Sequence, residues 1–294
     1  MAFGLIEAGF TPGDRLMLYA DQTFSAESLV TQMGAIKAGV SIVSFDEKDD
    51  CDAFDHALAT SKAKGLIFSP ATETSEGQTR QTFLQKLMPE LETVYSGEEL
   101  SLSKFPNLKH VVQTGHSAMR GVNKFRDLPV YANPAMSVRQ IPENQGDWVT
   151  HVAYKGGKEV CNLTSSDLAS KAQGLWDSTL SAGAGDEKCP IFMSCDLESP
   201  LGFASFLGCS SNFKKVFIPG TFNMSKMLQS VPRQHSTEAV CDSEFHGLEV
   251  PPTRKADYQE MCGSIKNILV VGDAAGKSDL FPSAKTASMD KYNF

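Results

Sequence analysis

The chain has 294 residues and a formal net charge of −8, with 41% hydrophobic and 21% charged residues. This composition is typical of a globular protein with a substantial buried core. Acids and bases are interspersed, so the charge gives no reason to expect a nucleic acid or an anionic membrane as partner. No apolar run approaches the ~20 residues that a membrane-spanning helix needs. The opening stretch MAFGLIEAGF has neither the basic region of a signal peptide nor the Arg-rich pattern of a transit peptide, although one could already have been cleaved.

Seven cysteines are scattered along the chain without a CxxC pair, so neither a zinc site nor a disulfide framework is predicted. Most of them, Cys195 included, lie in apolar segments where a cysteine is usually a small buried side chain. Free cysteines indicate a reducing compartment, either the cytosol or the mitochondrial matrix. The six histidines show no metal-binding spacing, so no metal is expected.

Short β-branched runs alternate with helical patterns in the first half of the chain. A turn over residues 11–14 precedes the first strand. The helix at 25–38 is predicted to bury Leu29, Met33 and Ile36 on one face. Strands are predicted at 15–20, 40–44, 65–69, 108–113 and near 129–131, and helices at 25–38, 52–61 and near 80–87.

The same alternation continues to residue 271 and predicts an α/β fold. Strands are expected at 149–154, 190–194, 214–218, 238–241 and 265–271, and helices at 164–182, 201–208, 224–231 and near 258–262. The fold class is two Rossmann-like subdomains with mostly parallel sheets flanked by helices. The subdomains span roughly 1–150 and 151–280, and residues 281–294 form a polar tail.

The segment 151–168, HVAYKGGKEVCNLTSSDL, organises this prediction. It is expected to run from a strand through a glycine loop into a helix, with Thr164 and Asp167 forming its N-terminal cap. In nucleotide-binding enzymes such a loop gathers backbone N–H groups around a phosphate. Here the loop over residues 155–160 is short and contains no Ser or Thr. The pattern indicates a phosphate loop that has lost its phosphate-binding part.

Other candidate sites are weaker. The stretch 272–278, GDAAGKS, has one residue too few between its glycines for a Walker A loop, and a helix-starting turn is expected instead. Cys195 has neither a nucleophile elbow nor an orienting histidine, and the acids near Asp50 suit a helix N-terminus. No catalytic residue is predicted.

Five segments in order resemble AMP-forming acyl-CoA synthetases of the adenylate-forming superfamily. They are GFTPGDR followed by LMLYA, then IKAG with SIVSFD, FPNLKHVVQTG, THVAY with NLTSSDL, and GSIKNILVVGDAA. The resemblance covers roughly residues 1–280. It implies the fold of the family's N-terminal domain.

The departures from the family pattern imply an inactive protein. The family's loop TSGTTGxPKG is replaced by KGGKEV, in which Lys158 is the sole candidate for the loop lysine. Ser165 stands for the histidine of LTHxNL, and Glu198 and Ser199 for the aromatic-His pair of PLFHxxG. The family's Gly-Gly-Ala-Pro turn has become Gly272-Asp273-Ala274-Ala275. A chain ending at Phe294 would lack the YGxTE motif, the ribose-binding aspartate and the C-terminal domain with its catalytic lysine.

The resemblance therefore implies a catalytically inactive protein that needs no cofactor. Its first expected function is that of a structural or accessory subunit bound to other proteins in a larger assembly. The best guess is a mitochondrial energy-converting complex such as ATP synthase, with a cytoplasmic location otherwise. The alternative is a non-catalytic nucleotide- or acyl-CoA-binding protein with a vestigial pocket at Tyr154, Lys158, Gly272 and Asp273. An adenylating enzyme completed by another chain ranks last.

Overall fold

The computed structural model describes residues 1–20, 25–46, 50–95, 97–115, 119–129, 147–180, 189–219, 224–273 and 278–292. Contacts divide the chain into two compact units, Met1–Ser166 and Asp167–Phe294. The first unit contains the whole segment 149–164, which the sequence analysis divides between two subdomains. Each unit is built around one β-sheet.

The first unit has a seven-stranded sheet in the order β5-β4-β3-β1-β2-β6-β7. All neighbours run parallel except β6 and β7, which form an antiparallel hairpin at one edge. Most of the predicted strands are confirmed within one or two residues, and the strand expected near 129–131 lies largely outside the described residues. The strands are β1 Arg15–Tyr19, β2 Ser41–Phe45, β3 Gly65–Phe68, β4 His110–Gln113, β5 Asn123–Lys124, β6 Val149–Lys155 and β7 Lys158–Thr164.

Helices cover both faces of this sheet. Successive residues of its central strands are therefore buried on opposite sides. Met17 and Tyr19 of β1 belong to one apolar cluster, whereas Leu16 and Leu18 belong to another. Burial on both faces explains the continuous apolar run in β1. The helices of this unit are α1 Ala2–Glu7, α2 Ser25–Ala38, α3 Cys51–Ser61 and α4 Arg80–Leu87.

Local capping sets where α3 and α4 begin. The Asp50 carboxylate accepts hydrogen bonds from the backbone N–H groups of Asp52 and Ala53, which confirms the helix N-terminus expected there. The Thr79 side chain accepts one from Thr82 at the start of α4. Such caps satisfy backbone donors that the helix itself leaves without partners.

The prediction for the buried face of α2 was wrong at Met33. Leu29 is 9% exposed, but Met33 is 48% exposed. The inward face instead carries the small and polar residues Ser28, Thr31, Gln32, Ala35 and Ala38. Their polar groups have partners, since Thr31 Oγ1 donates to the Glu27 carbonyl at 2.7 Å and Gln32 lies 3.1 Å from His151. Sequence periodicity misses this face because it scores a buried Gln as polar.

The second unit has a five-stranded parallel sheet in the order β12-β11-β10-β8-β9. Helix α6 is capped by Ser199, whose Oγ accepts the Gly202 N–H at 3.1 Å, and Pro200 occupies its first turn. The strands are β8 Ile191–Ser194, β9 Val216–Phe217, β10 Glu238–Asp242, β11 Asn267–Val271 and β12 Lys285–Met289. The helices are α5 Ser165–Leu175, which starts at the end of the first unit, α6 Pro200–Ser211, α7 Met224–Gln234, α8 Ser243–His246 and α9 Pro252–Cys262.

The polar tail predicted for 281–294 was wrong, because residues 285–289 form the edge strand β12. This strand pairs in parallel with β11 from Asn267↔Lys285 to Val271↔Met289. Its alternating exposed side chains hide it from a hydrophobicity pattern, and backbone hydrogen bonding holds it. Within the described residues, no helix is long and apolar enough to cross a membrane.

Candidate functional site

The stretch expected to be a phosphate loop is a tight β-hairpin. Strand β6 pairs with β7, and Lys155 lies opposite Lys158. Only Gly156 and Gly157 separate the two strands, and both have positive φ, 53° and 71°. Two consecutive left-handed residues are what a type I′ hairpin turn requires, and glycine adopts that conformation without strain. The predicted strand–loop–helix is therefore corrected to strand–turn–strand, followed by α5.

The hairpin places Tyr154 in the interior and Lys158 at the surface. Tyr154 is 2% exposed, and Arg15 Nη1 donates to its hydroxyl at 3.3 Å. Burial raises the pKa of the Tyr154 hydroxyl, while the neighbouring Arg15 charge acts to lower it. Lys158 is the first residue of β7 and is exposed. Both residues line one surface cavity of the first unit, with a volume of about 670 Å³.

The predicted start of α5 is confirmed to within a residue, and the Asp147 carboxylate lies at this helix end. The carboxylate of Asp147 accepts the Ser166 backbone N–H at 2.9 Å and both neighbouring serine hydroxyls, from Ser165 at 3.0 Å and Ser166 at 2.6 Å. These hydrogen bonds to Ser166 and Ser165 lower the pKa of Asp147 to about 2. An acid that is distant in sequence thus caps this helix end, and the expected pairing of Thr164 with Asp167 stays a prediction. Helix α5 ends at Leu175, and a π-helical turn follows over Trp176–Leu180.

The other two vestigial candidates, Gly272 and Asp273, follow β11 in the second unit. Gly272 has a φ of +106°, and its N–H donates to the Met289 carbonyl at 2.7 Å. A Cβ at this position would lie 3.1 Å from Ser243 Oγ. The helix-starting turn expected over 272–278 falls mostly on residues 274–277, which lie outside the described residues, and residues 278–284 contain no helix. The positive φ accounts for the glycine at this position.

The second sheet has a topological switch point between β8 and β10. Helix α6 leads the chain from β8 to β9 on one side of β8, and α7 leads it from β9 to β10 on the opposite side of β8. Parallel α/β sheets bind ligands outside the carboxyl ends of such strands. Here Asp242 Oδ2 accepts the Asp196 N–H at 2.9 Å, and Asp196 Oδ1 accepts the Glu198 N–H at 3.0 Å. Acidic side chains therefore occupy the switch point. Sequence analysis did not single out Asp242, because its role depends on strand order.

All seven cysteines are free, and six of them are buried, as the sequence analysis predicts. Burial raises the pKa of Cys209 and of Cys262 to about 12 and that of Cys195 well above its usual value. A buried thiol with a raised pKa is a poor nucleophile. Across the described ranges, no group of three or more His, Cys, Asp or Glu side chains could hold a metal ion.

No protein-family model and no curated protein matches this sequence. Acetoacetyl-CoA synthetase from Streptomyces lividans superposes with a TM-score of 0.68 over 98% of this chain and 44% of its own, at 15% identity. An acyl-CoA synthetase from Brucella canis gives 0.65 over 94% and 46%, at 14% identity. O-succinylbenzoate–CoA synthetase from Bacillus subtilis, solved with AMP, gives 0.59 over 94% and 47%, at 15% identity.

At these identities the likeness shows the fold. The chain has the mixed α/β fold of the N-terminal domain of adenylate-forming ligases, which confirms the predicted fold class. It spans slightly less than half the length of these three solved chains. The matches between individual motifs stay predictions.

Proposed function

We propose that this chain is a non-adenylating protein with an acyl-CoA-synthetase-like fold that serves as a subunit of a larger protein assembly. The observation that carries the first half of the proposal is the two-residue turn between Lys155 and Lys158. Adenylation needs preorganised donors around the transferring phosphate, supplied by backbone N–H groups and hydroxyls of a loop. A type I′ turn leaves no loop that could surround a triphosphate.

The acidic switch point of the second unit supports the same conclusion. Asp196 and Asp242 stand at the strand ends where a doubly wound sheet would place a ligand phosphate. Two carboxylates there repel an anion, and one of them already uses an N–H group that a phosphate would need. The carboxyl ends of these strands therefore oppose nucleotide binding.

The second half of the proposal is supported by helix α2. Val30 and Met33 are 47% and 48% exposed on its outer face, while polar residues are turned inward. The outer face continues through Ala26 and Lys37, which are also exposed. An apolar strip on a helix that buries its polar residues suits contact with another protein. The partner we propose is a protein surface with an apolar patch for this strip.

The identity of the assembly rests on the resemblance alone. We propose a mitochondrial energy-converting complex, with ATP synthase as the first choice. The fold and the comparisons add no support for this choice.

Two measurements test the proposal. The chain, together with whatever co-purifies from a gentle extract of its source, should show no ATP–pyrophosphate exchange with fatty acids or small carboxylates. On native electrophoresis it should migrate with a megadalton complex of constant subunit composition. A paired Val30→Glu, Met33→Glu variant should shift toward the 31.9 kDa monomer, whereas Lys37→Glu on the same face should not. Exchange activity would overturn the first half, and a wild-type monomer the second.

A second candidate function, non-catalytic nucleotide or acyl-CoA binding, is favoured by one observation. Tyr154 and Lys158 line the same cavity, although Gly272 and Asp273 are not among its lining residues. Saturable binding of ATP, AMP or an acyl-CoA that is lost on Lys158→Ala would support it. No binding at millimolar ligand would remove it.

A further inference from the structure

The cavity of the first unit is bounded by three segments. The turn before β1, the end of α3 and the β6–β7 hairpin all contribute to its wall. Its volume of about 670 Å³ lies within the range of ~300–1,000 Å³ usual for small-molecule sites. The lining residues are Gly13, Asp14, Arg15, Thr60, Ser61, Lys62, Tyr154, Gly157, Lys158 and Glu159.

Both acids in this wall already have partners. Asp14 forms a salt bridge with Lys64 at 2.8 Å and accepts the Thr11 N–H at 2.8 Å. Glu159 accepts a hydrogen bond from Asn162 at 3.1 Å. Lys64 therefore offsets the charge of Asp14, whereas Glu159 keeps its negative charge because its amide partner is neutral.

The positively charged side chains in the wall keep charges or hydrogen-bond donors that are available to a ligand. Lys62 and Lys158 are exposed and have no ion-pair partner among the residues that the structure describes. Arg15 uses Nη1 to donate to the Ser61 carbonyl at 3.1 Å and to the Tyr154 hydroxyl. Its Nε and Nη2 groups make no hydrogen bond within the described part of the chain. Arg15 thus offers further donors, and the lysines offer charge, from three separate segments that line one cavity.

The end of α3 opposes an anion, because the last carbonyl groups of a helix carry partial negative charge. Arg15 offsets this effect by donating to the Ser61 carbonyl. Lys62, which ends the helix with a left-handed φ of 54°, adds a second positive charge at the same point. The lining thus carries three cations against two anions, and the balance of charge favours an anion.

The lining also limits what the rest of the ligand can be. It contains no aliphatic side chain, and its one aromatic residue, Tyr154, is 2% exposed. An acyl chain would find no apolar wall, and a nucleobase would find no free ring to stack on. We propose that this cavity binds a small phosphorylated anion through Lys62, Lys158 and Arg15. The site lies within the first unit and does not depend on the proposed assembly.

Inorganic phosphate is the probe for this proposal, titrated into the full chain at low ionic strength while backbone amide shifts are recorded by NMR. Saturable shifts at Lys62, Gly157 and Lys158 are expected, with a dissociation constant on the order of 1 mM. A paired Lys62→Gln, Lys158→Gln variant should bind about tenfold more weakly, because it removes two exposed positive charges from the lining.

Lys155→Gln is the matched control, because Lys155 lies opposite Lys158 in the hairpin and does not line the cavity. It should bind phosphate as the wild type does. Shifts spread over the surface without saturation, or equal affinity in the paired variant, would overturn the proposal. Stronger binding of citrate than of phosphate would overturn the assignment to phosphorylated ligands.

Discussion

His151 and Gln32 form a hydrogen bond in the interior of the first unit, with His151 Nε2 3.1 Å from Gln32 Oε1. Both side chains are completely buried. The pair connects strand β6 to the inward face of helix α2, and it explains why a helix with exposed Val30 and Met33 buries a glutamine. A buried polar group needs such a partner, because leaving it without one costs about 1–3 kcal/mol.

Burial of His151 predicts acid sensitivity. Burial lowers the pKa of His151 from 6.5 to about 3, so the folded state holds it neutral. Its contribution to stability is therefore complete above pH 6.5 and is lost as the pH falls from 6.5 toward 3, by about 1.4 kcal/mol per pH unit. His110 and His246, whose pKa values are also lowered by burial, act in the same direction. Urea denaturation at pH 7, 6 and 5 measures the slope.

The variant His151→Gln should reduce that slope without abolishing it, whatever its stability at pH 7. His235→Gln, at an exposed position, should leave the slope unchanged. If the slope is the same in both variants, burial does not lower the pKa of His151 in the folded protein.

The hairpin turn predicts different costs at its two glycines. Ala at position 156 is strained only by the positive φ and should cost about 1–2 kcal/mol of stability. Ala at position 157 carries the same strain, and its Cβ would also lie within 2.2 Å of His56 Cδ2. Gly157→Ala should therefore destabilise more than Gly156→Ala. Free energies of unfolding from urea titrations measure both.

A double-mutant cycle separates the two causes. In a His56→Ala background, Gly157→Ala should cost no more than Gly156→Ala does. An unchanged cost would show that the ring of His56 is not the obstacle.

Substitution of Arg80 is expected to cause a large loss of stability. Its guanidinium lies 3.9 Å from the centroid of the Tyr19 ring, donates to the Tyr19 carbonyl at 2.8 Å and is 2% exposed. A desolvated cation–π contact and a charged hydrogen bond together suggest a loss of about 2–4 kcal/mol for Arg80→Met. Arg80→Lys should also destabilise, because an ammonium cannot reproduce the planar stack.

Arg126→Lys is the control, since the Arg126 side chain is 62% exposed, and it should change stability by about 0.5 kcal/mol or less. The same urea titrations apply. A stable Arg80→Met protein would show that the desolvation cost of the guanidinium cancels its contacts.

Replacing Phe213 by glycine is expected to raise the stability of the chain and to weaken partner binding. Its side chain is 95% exposed, and its φ is +58°, a left-handed conformation at the end of α6 where glycine is usual. Phe213→Gly should stabilise the isolated chain by up to about 1 kcal/mol, because relief of strain exceeds the added entropy of the unfolded chain. Phe213→Ala keeps the strain and should change stability little.

Both Phe213 variants should weaken the proposed assembly on native electrophoresis, if the ring is an anchor for a partner. His235→Gly, at a φ of 55°, should stabilise the chain without changing its migration. Assembly that survives both Phe213 variants would remove this residue from the interface.

The sequence by itself determined the α/β class, most of the strands and helices, and the loss of hydroxyl groups between Tyr154 and Val160. These features depend on residues close together in the chain, where periodicity and glycine positions carry the signal. The burial of most of the cysteines was predicted for the same reason.

Only the tertiary structure decided that KGGK closes a hairpin, that 285–289 adds a strand and that Met33 faces outward. Each depends on a neighbour far away in sequence. Strand β7 needs β6 in register, β12 needs the edge of β11, and the inward face of α2 needs His151. The cavity likewise joins Arg15, Lys62 and Lys158 from three separate segments, and no local pattern brings them together.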